Sequence, residues 1–232
     1  MPNVYFFKFP LKPSLGGGEF HTLKLAQDFL KQGCAVKSIT SDSGLLRLFE
    51  KNHLSRRRMF MGVEPTSKWA LLLWPLTCWI ARIRLKSLLK EIPPGSILFM
   101  QSLIEKLILT PLAFILSHWG RENFRVIWLE HKIPGRWLKL NPLRFRYLKL
   151  ARKVQMITVS NFAKQEFVNL GVPEKNIRVV YPGTNIISTP SHSPPYHGGE
   201  IPVPFLPLRK GGGDEEGVKR FVIGILSRLD SE

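Results

Sequence analysis

Short apolar runs alternate with helical patterns along most of this chain, and few folds tolerate that rhythm. "VYFF" at Val4–Phe7 reads as a strand. Leu23, Ala26, Phe29 and Leu30 then recur at helical spacing, and Gly33 stops the helix. "AVKSI" at Ala35–Ile39 alternates like a second strand. A long apolar helical stretch follows over Lys68–Lys90, closed by "IPPGS". "ILFM" (Ile97–Met100), a helix over Glu105–Ser117 and "RVIWLE" (Arg125–Glu130) continue the series. "NPLRFRYLKLARKV" reads as a helix with Pro142 in its first turn. "QMITV", a helix "NFAKQEFVNL" closed by Gly171, and "IRVV" complete it. The expected fold class is α/β: a Rossmann-like parallel sheet with helices on both faces. Ligands of such sheets sit at the carboxyl ends of the strands.

The rhythm then stops. The 36 residues from Pro182 to Gly217 hold seven prolines and seven glycines and have no period. They read as a disordered linker or insertion. "RFVIGILSRLDSE" starts one more strand before the sequence ends. The expected organisation is a domain over 1–185, a linker over 186–217, and over 218–232 the first strand of a truncated second domain.

Charge narrows the partners. Lys and Arg number 34 against 17 acids, a net charge of +17. That field suits a polyanion, an anionic membrane or a phosphate-bearing ligand, without choosing among them. No RNA- or DNA-binding pattern accompanies it. Cys34 and Cys78 stand far apart with no Cys/His cluster, so neither a metal site nor a disulfide framework is expected. Two lone thiols fit a reducing cytoplasm. The start "MPNVYFFKFPLKP" lacks the apolar core and small-residue cleavage site of a signal peptide. The longest apolar run, Trp69–Ala81, is broken by Pro75 and too short to span a bilayer.

"SLGGGEFHTLKLAQDFLKQGCAV" (Ser14–Val36) places three glycines and an acid between the first strand and the first helix. Glycines there cost conformational entropy, so a close approach to the backbone is implied, or else only a turn. Gly16, Gly17 and Gly18 would turn free N–H groups and the positive end of the helix dipole toward a ligand, with Glu19 favouring the helix start. The spacing is neither GxGxxG nor a P-loop.

Three segments resemble glycosyltransferase family 4, of the GT-B fold. "GGGEFHTLKLAQDFLKQGCAV" is similar to that family's GGxE…LAxxLxxxGHxV opening. "ITVSNFAKQEFVNLGVPEKNIRVVYPGTN" (Ile157–Asn185) is similar to its second signature. "FVIGILSRL" (Phe221–Leu229) is similar to the strand that opens its C-terminal domain. The resemblance implies transfer of a sugar from a UDP- or GDP-sugar to an acceptor hydroxyl, with retained configuration, no metal and no further cofactor. It implies an N-terminal acceptor side and a C-terminal nucleotide side. A glycan or lipid-linked acceptor is the expected partner, with a separately encoded C-terminal half as another.

The resemblance also suggests site residues. His131, in "WLEHK", ends a strand where the family places a histidine near the transferred sugar, able to bond a hydroxyl or polarise the site. Glu130 beside it stands where relatives carry a small residue. His21 reads as an ordinary surface residue. Ser160 reads as a helix cap that borders the cleft, with Tyr181, Pro182, Gly183 and Thr184 in a turn leading there. Arg228 matches an arginine that faces the donor diphosphate, with Ser227 in place of the usual glycine. "RWLKLNPLRFRYLKLARK" holds seven basic residues and no acid. Arg136, Arg144, Arg146, Lys149, Arg152 and Lys153 form a candidate membrane or anion patch, joined by Arg56, Arg57 and Arg58. "WALLLWPLTCWIARIRLK" reads either as a segment dipping into a bilayer face or as a buried core helix. The expected location is the cytoplasm, or its membrane face. Two alternatives stand beside the enzyme reading: a non-catalytic basic module on an anionic membrane, and an inactive gene remnant.

Overall fold

A computed structural model of the chain describes residues 2–10, 15–62, 64–65, 68–118 and 123–181. The expected linker over 186–217 and the strand over 218–232 lie outside them. Within them the alternation resolves into seven strands: β1 (Asn3–Lys8), β2 (Ala35–Thr40), β3 (Ser55–Arg58), β4 (Ile97–Met100), β5 (Arg125–Glu130), β6 (Gln155–Thr158) and β7 (Ile177–Val179). All pairs are parallel, in the order β3-β2-β1-β4-β5-β6-β7. The chain winds outward from β1 to β3, then returns to β1's other flank as β4. The switch point therefore lies between the carboxyl ends of β1 and β4, where this topology opens a crevice.

The helices are α1 (Gly17–Lys31), α2 (Ser43–Lys51), α3 (Lys68–Leu72), α4 (Trp74–Glu91), α5 (Leu103–His118), α6 (Arg136–Lys139), α7 (Arg144–Ala151) and α8 (Asn161–Leu170). Side chains alternate across the strands, so each strand feeds two cores. Phe6 and Phe99 stack at 4.9 Å and meet Phe29 of α1 on one face. Phe7, Leu98, Met100 and Trp128 join the larger cluster built with α4, α5 and α7. Trp128 donates its indole N–H to Thr110 at 3.0 Å, satisfying a buried polar atom.

Sequence reasoning gave no elements to residues 41–67, yet α2 and β3 lie there. Asp42 caps α2, its Oδ1 accepting from Gly44 and Leu45 at 2.9 and 3.3 Å. β3 reads "SRRR" and is exposed throughout, an edge strand with no apolar alternation to betray it. The helix expected over Lys68–Lys90 is divided at Leu73, two residues before Pro75, which lacks a backbone donor. Pro142 precedes α7 rather than starting it. Asn141 Oδ1 accepts from Leu143 at 2.9 Å and holds a separate turn there. Gly171 closes α8 in the left-handed region at φ 110°.

Candidate functional site

Three neighbouring strands, β1, β4 and β5, deliver polar residues to the carboxyl edge of the sheet. β1 delivers Lys8, β4 is followed by Gln101, and β5 ends in Glu130 with His131 next. The glycine run connects this edge to α1. Gly16 is the helix N-cap, and its N–H donates to Glu19 Oε2 at 2.7 Å. Glu19 is buried and also pairs with Lys8, whose ammonium donates to Asp42 Oδ2 at 2.8 Å. One lysine thus ties the starts of α1 and α2 to the end of β1. Glu19 in turn ties the glycine loop to the end of β1.

Gly18 answers why a side chain is missing. A Cβ built there would stand 3.2 Å from Cγ of His131. The backbone of α1's first turn therefore lies against the imidazole. Gly17 has open space around it, and among the described residues nothing accepts from the N–H groups of Gly17 and Gly18.

His131 also meets His21 and Thr22. The two Nδ1 atoms stand 3.4 Å apart, with the rings edge to face at 5.1 Å. Nε2 of His131 is 3.5 Å from Thr22 Oγ1, which donates to the Gly18 carbonyl at 2.8 Å and contacts the Gln101 side-chain oxygen at 3.0 Å. One tautomer set serves this geometry: His21 Nδ1–H toward His131 Nδ1, and His131 Nε2–H toward Thr22. Both contacts are at the long limit for hydrogen bonds, so an arriving hydroxyl competes with them directly. Burial first, then the charges of His21, Lys8, Lys106 and Lys132, push His131 down to about 3. Burial pushes His21 down to about 4. Both rings are neutral at pH 7, so His131 serves there as a hydrogen-bonding group and not as a cation.

His21 is corrected here: it is 6% exposed, not a surface residue. It sits on the face of α1 turned to the sheet edge, one turn after the glycines. Glu130 also gains a role. It pairs with the buried Lys106 at 2.6 Å and accepts from the Tyr147 hydroxyl at 2.7 Å. Lys106 also donates to the Gln101 carbonyl at 2.9 Å. Glu105 Oε1 accepts from the N–H groups of Gln101, at 3.0 Å, and Ser102. Its complete burial raises it to about 7. This under-layer fixes Gln101, whose amide nitrogen is buried without a partner among the described residues.

The other expected site residues divide. Ser160 caps α8, accepting from Ala163 N–H at 3.1 Å, just past the end of β6, the strand next to β5. Gly183 and Arg228 lie outside the described residues, as does the side chain of Arg136. Arg144 and Arg146 donate to the carbonyls of Leu170 and Leu107 at 3.2 and 3.1 Å. Lys149, Arg152 and Lys153 are exposed. Lys8, Thr22, Gln101, Lys106 and Tyr147 were missed by sequence reasoning. For Lys8 and Gln101 the signal was present: a polar residue directly ending an apolar strand falls on the carboxyl edge of a parallel sheet. Among the described residues no group of three His, Cys, Asp or Glu side chains could hold a metal ion.

Comparison with known proteins follows this geometry. The family model described as Glycosyltransferase Family 4 matches residues 15–186, from the glycine loop past β7. No curated protein matches the chain in sequence. Three crystal structures of HepE from Anabaena are similar to it. The complex with UDP and glucose aligns at TM-score 0.56 and 15% identity, over 79% of this chain and 45% of HepE. The complex with UDP gives 0.56 and 13%, over 78% and 44%. That with UDP-glucose gives 0.55 and 14%, over 78% and 44%. The chain spans less than half the length of these relatives. At such identity the likeness is one of fold, the Rossmann-like domain of the GT-B architecture.

Proposed function

Because the chain belongs to Glycosyltransferase Family 4, we propose that it forms the acceptor side of a cleft in which a sugar passes from a nucleotide-sugar donor to an acceptor hydroxyl. The observation that carries this reading is the packing of Gly18 against His131 at the switch point of the sheet. Two unshared N–H groups at the amino end of α1 lie beside a neutral imidazole. That set suits uncharged hydroxyls and a developing negative oxygen better than it suits proton transfer by a charged acid.

In this reading His131 bonds a sugar hydroxyl, displacing its long contacts to His21 or Thr22. His21 and Thr22 hold the ring in position. The N–H groups of Gly17 and Gly18 meet the oxygen on which charge grows. Donor nucleotide and diphosphate belong to a second domain, where Arg228 is assigned to the diphosphate on its resemblance to the family's arginine. UDP- or GDP-sugars are the donors proposed, and a glycan or lipid-linked hydroxyl the acceptor. That HepE was solved with UDP and glucose supports the donor class. Retention of configuration and independence of metal are carried over from the resemblance. Two buried free thiols, Cys34 and Cys78, fit action in the cytoplasm.

Saturation-transfer NMR tests this reading. The 232-residue chain is mixed in turn with a panel of methyl glycosides, with UDP-glucose and with GDP-mannose. Sugar-ring protons are expected to saturate, and to lose the effect in His131→Ala. The absence of sugar saturation across the panel would overturn the reading. So would saturation centred on the nucleobase and indifferent to His131→Ala.

A further inference from the structure

α3 and α4 carry a feature that the transfer site does not use. They run almost as one helix. Leu73, between them, keeps helical angles (φ −81°, ψ −2°). The backbone ladder passes through it, from Leu73 N–H to the Trp69 carbonyl at 3.1 Å and from Thr77 N–H to the Leu73 carbonyl at 3.0 Å. One face, with Trp74, Cys78, Ala81, Leu85, Leu88 and Leu89, is buried in the core. The opposite face is also apolar. Trp69, Leu72, Leu73, Leu76, Trp79 and Ile83 fall within an arc of about 120° at 100° per residue. All six are exposed: Trp69 at 77%, Leu72 at 70% and Trp79 at 63%. Phe60, also exposed, joins them where Arg84 donates to its carbonyl at 2.6 Å. A contiguous apolar face of this size on a soluble surface marks a contact.

Charge says what makes it. Exposed Arg84 falls on one side of the arc, Arg82 and Lys86 on the other, and Lys90 beyond its end. No acid occurs on this helix before Glu91. A second copy of the chain would bring these cations against their own kind. An anionic lipid surface complements them, and tryptophan is the side chain most at home at the headgroup level. Among the described residues no helix is long and apolar enough to cross a membrane.

We propose that the outward face of α3 and α4 lies in the interface of an anionic membrane, with Trp69, Leu72, Leu76 and Trp79 at the boundary between headgroups and acyl chains and Arg82, Arg84 and Lys86 among the phosphates. The helix lies on the bilayer and does not span it. On α7, by contrast, Arg144 and Arg146 donate to backbone carbonyls, which leaves Lys149, Arg152 and Lys153 as the exposed cations there. This surface is independent of the chemistry assigned to His131. It would place the acceptor side of the site beside a lipid-borne hydroxyl.

Vesicle sedimentation tests it. The full chain is spun with vesicles of phosphatidylcholine alone, and with vesicles holding about one third phosphatidylglycerol. The wild type is expected to bind the anionic vesicles far more tightly. Trp69→Ser/Trp79→Ser and Arg82→Glu/Lys86→Glu are each expected to weaken that binding about tenfold or more, with an unchanged circular dichroism spectrum. Equal binding by the variants would overturn the proposal. So would a wild-type dimer in sedimentation equilibrium that Trp69→Ser/Trp79→Ser dissolves, since a second copy would then cover the face. Should a variant unfold, quenching of wild-type tryptophan fluorescence by brominated lipid decides: quenching supports the proposal, and its absence refutes it.

Discussion

His21 and His131 set the chemistry of the site at the smallest scale. Burial holds both rings neutral, at about 4 and about 3, against an ordinary value of 6.5. The unfolded chain therefore takes up protons below pH 6.5 that the folded chain refuses until near pH 4. Stability from this pair is complete above pH 6.5 and falls as the pH drops toward 4. Glu105, raised to about 7 from 4.5, works in the opposite direction, losing stability as the pH rises through that range. The difference between wild type and a variant isolates the histidines. Between pH 7.5 and pH 5, His131→Asn is expected to remove on the order of 2 kcal/mol of acid-induced loss, read from urea midpoints. Parallel curves for the two proteins would show that His131 is not held neutral.

Gly18 makes the same point without charge. The sequence displayed three glycines before a helix, and a close approach was a fair inference from them. That the approaching group is His131, more than a hundred residues away, depends on the parallel order of β1, β4 and β5, which no local pattern reveals. His21 was misread for a related reason. Its position in the helix was visible, but the face turned toward the sheet edge was polar, and polar faces read as solvent faces. Lys106 and Glu130 were hidden similarly, an ion pair on elements that are mostly apolar.

At the scale of elements, the segment before α3 packs against α4 at a glycine. Gly62 has φ +102°, a conformation that side-chain-bearing residues rarely adopt. A Cβ there would also fall inside van der Waals contact with Cγ2 of Thr77 on α4. Gly62→Ala is expected to destabilise the fold by roughly 2–4 kcal/mol through both causes. Thr77→Ser removes the clashing methyl but not the backbone strain. The double variant should therefore regain part of the loss, and strictly additive thermal shifts would contradict this packing. The long helical pattern over residues 68–90 was plain in the sequence, whereas the burial of one apolar face and the exposure of the other were not. Apolar residues on both faces look the same in a string whether they meet a core or a membrane. β3 was illegible for the opposite reason, since an edge strand exposed on both sides carries no hydrophobic period.

At the largest scale, the seven parallel strands among the described residues gather the polar ends of β1, β4 and β5 at one crevice. The fold class was the most legible property, because alternating strand and helix periods leave few architectures. The site was half legible: the glycine loop and His131 through their motif context, the supporting layer not at all. The chain spans less than half of its structural relatives, and its site presents N–H donors and neutral rings rather than a cradle of cations for a diphosphate. Binding of a sugar hydroxyl at this crevice is thus what distinguishes the acceptor side of a transferase from a basic module that merely shares its fold. Amide chemical-shift mapping of the 15N-labelled chain, titrated with the methyl glycoside that saturates most strongly, measures it directly. Shifts at Gly17, Gly18, Gln101 and Lys132, lost in His131→Ala, are the expected result. Shifts confined to the β3 edge or to α4, with the switch point silent, would contradict it.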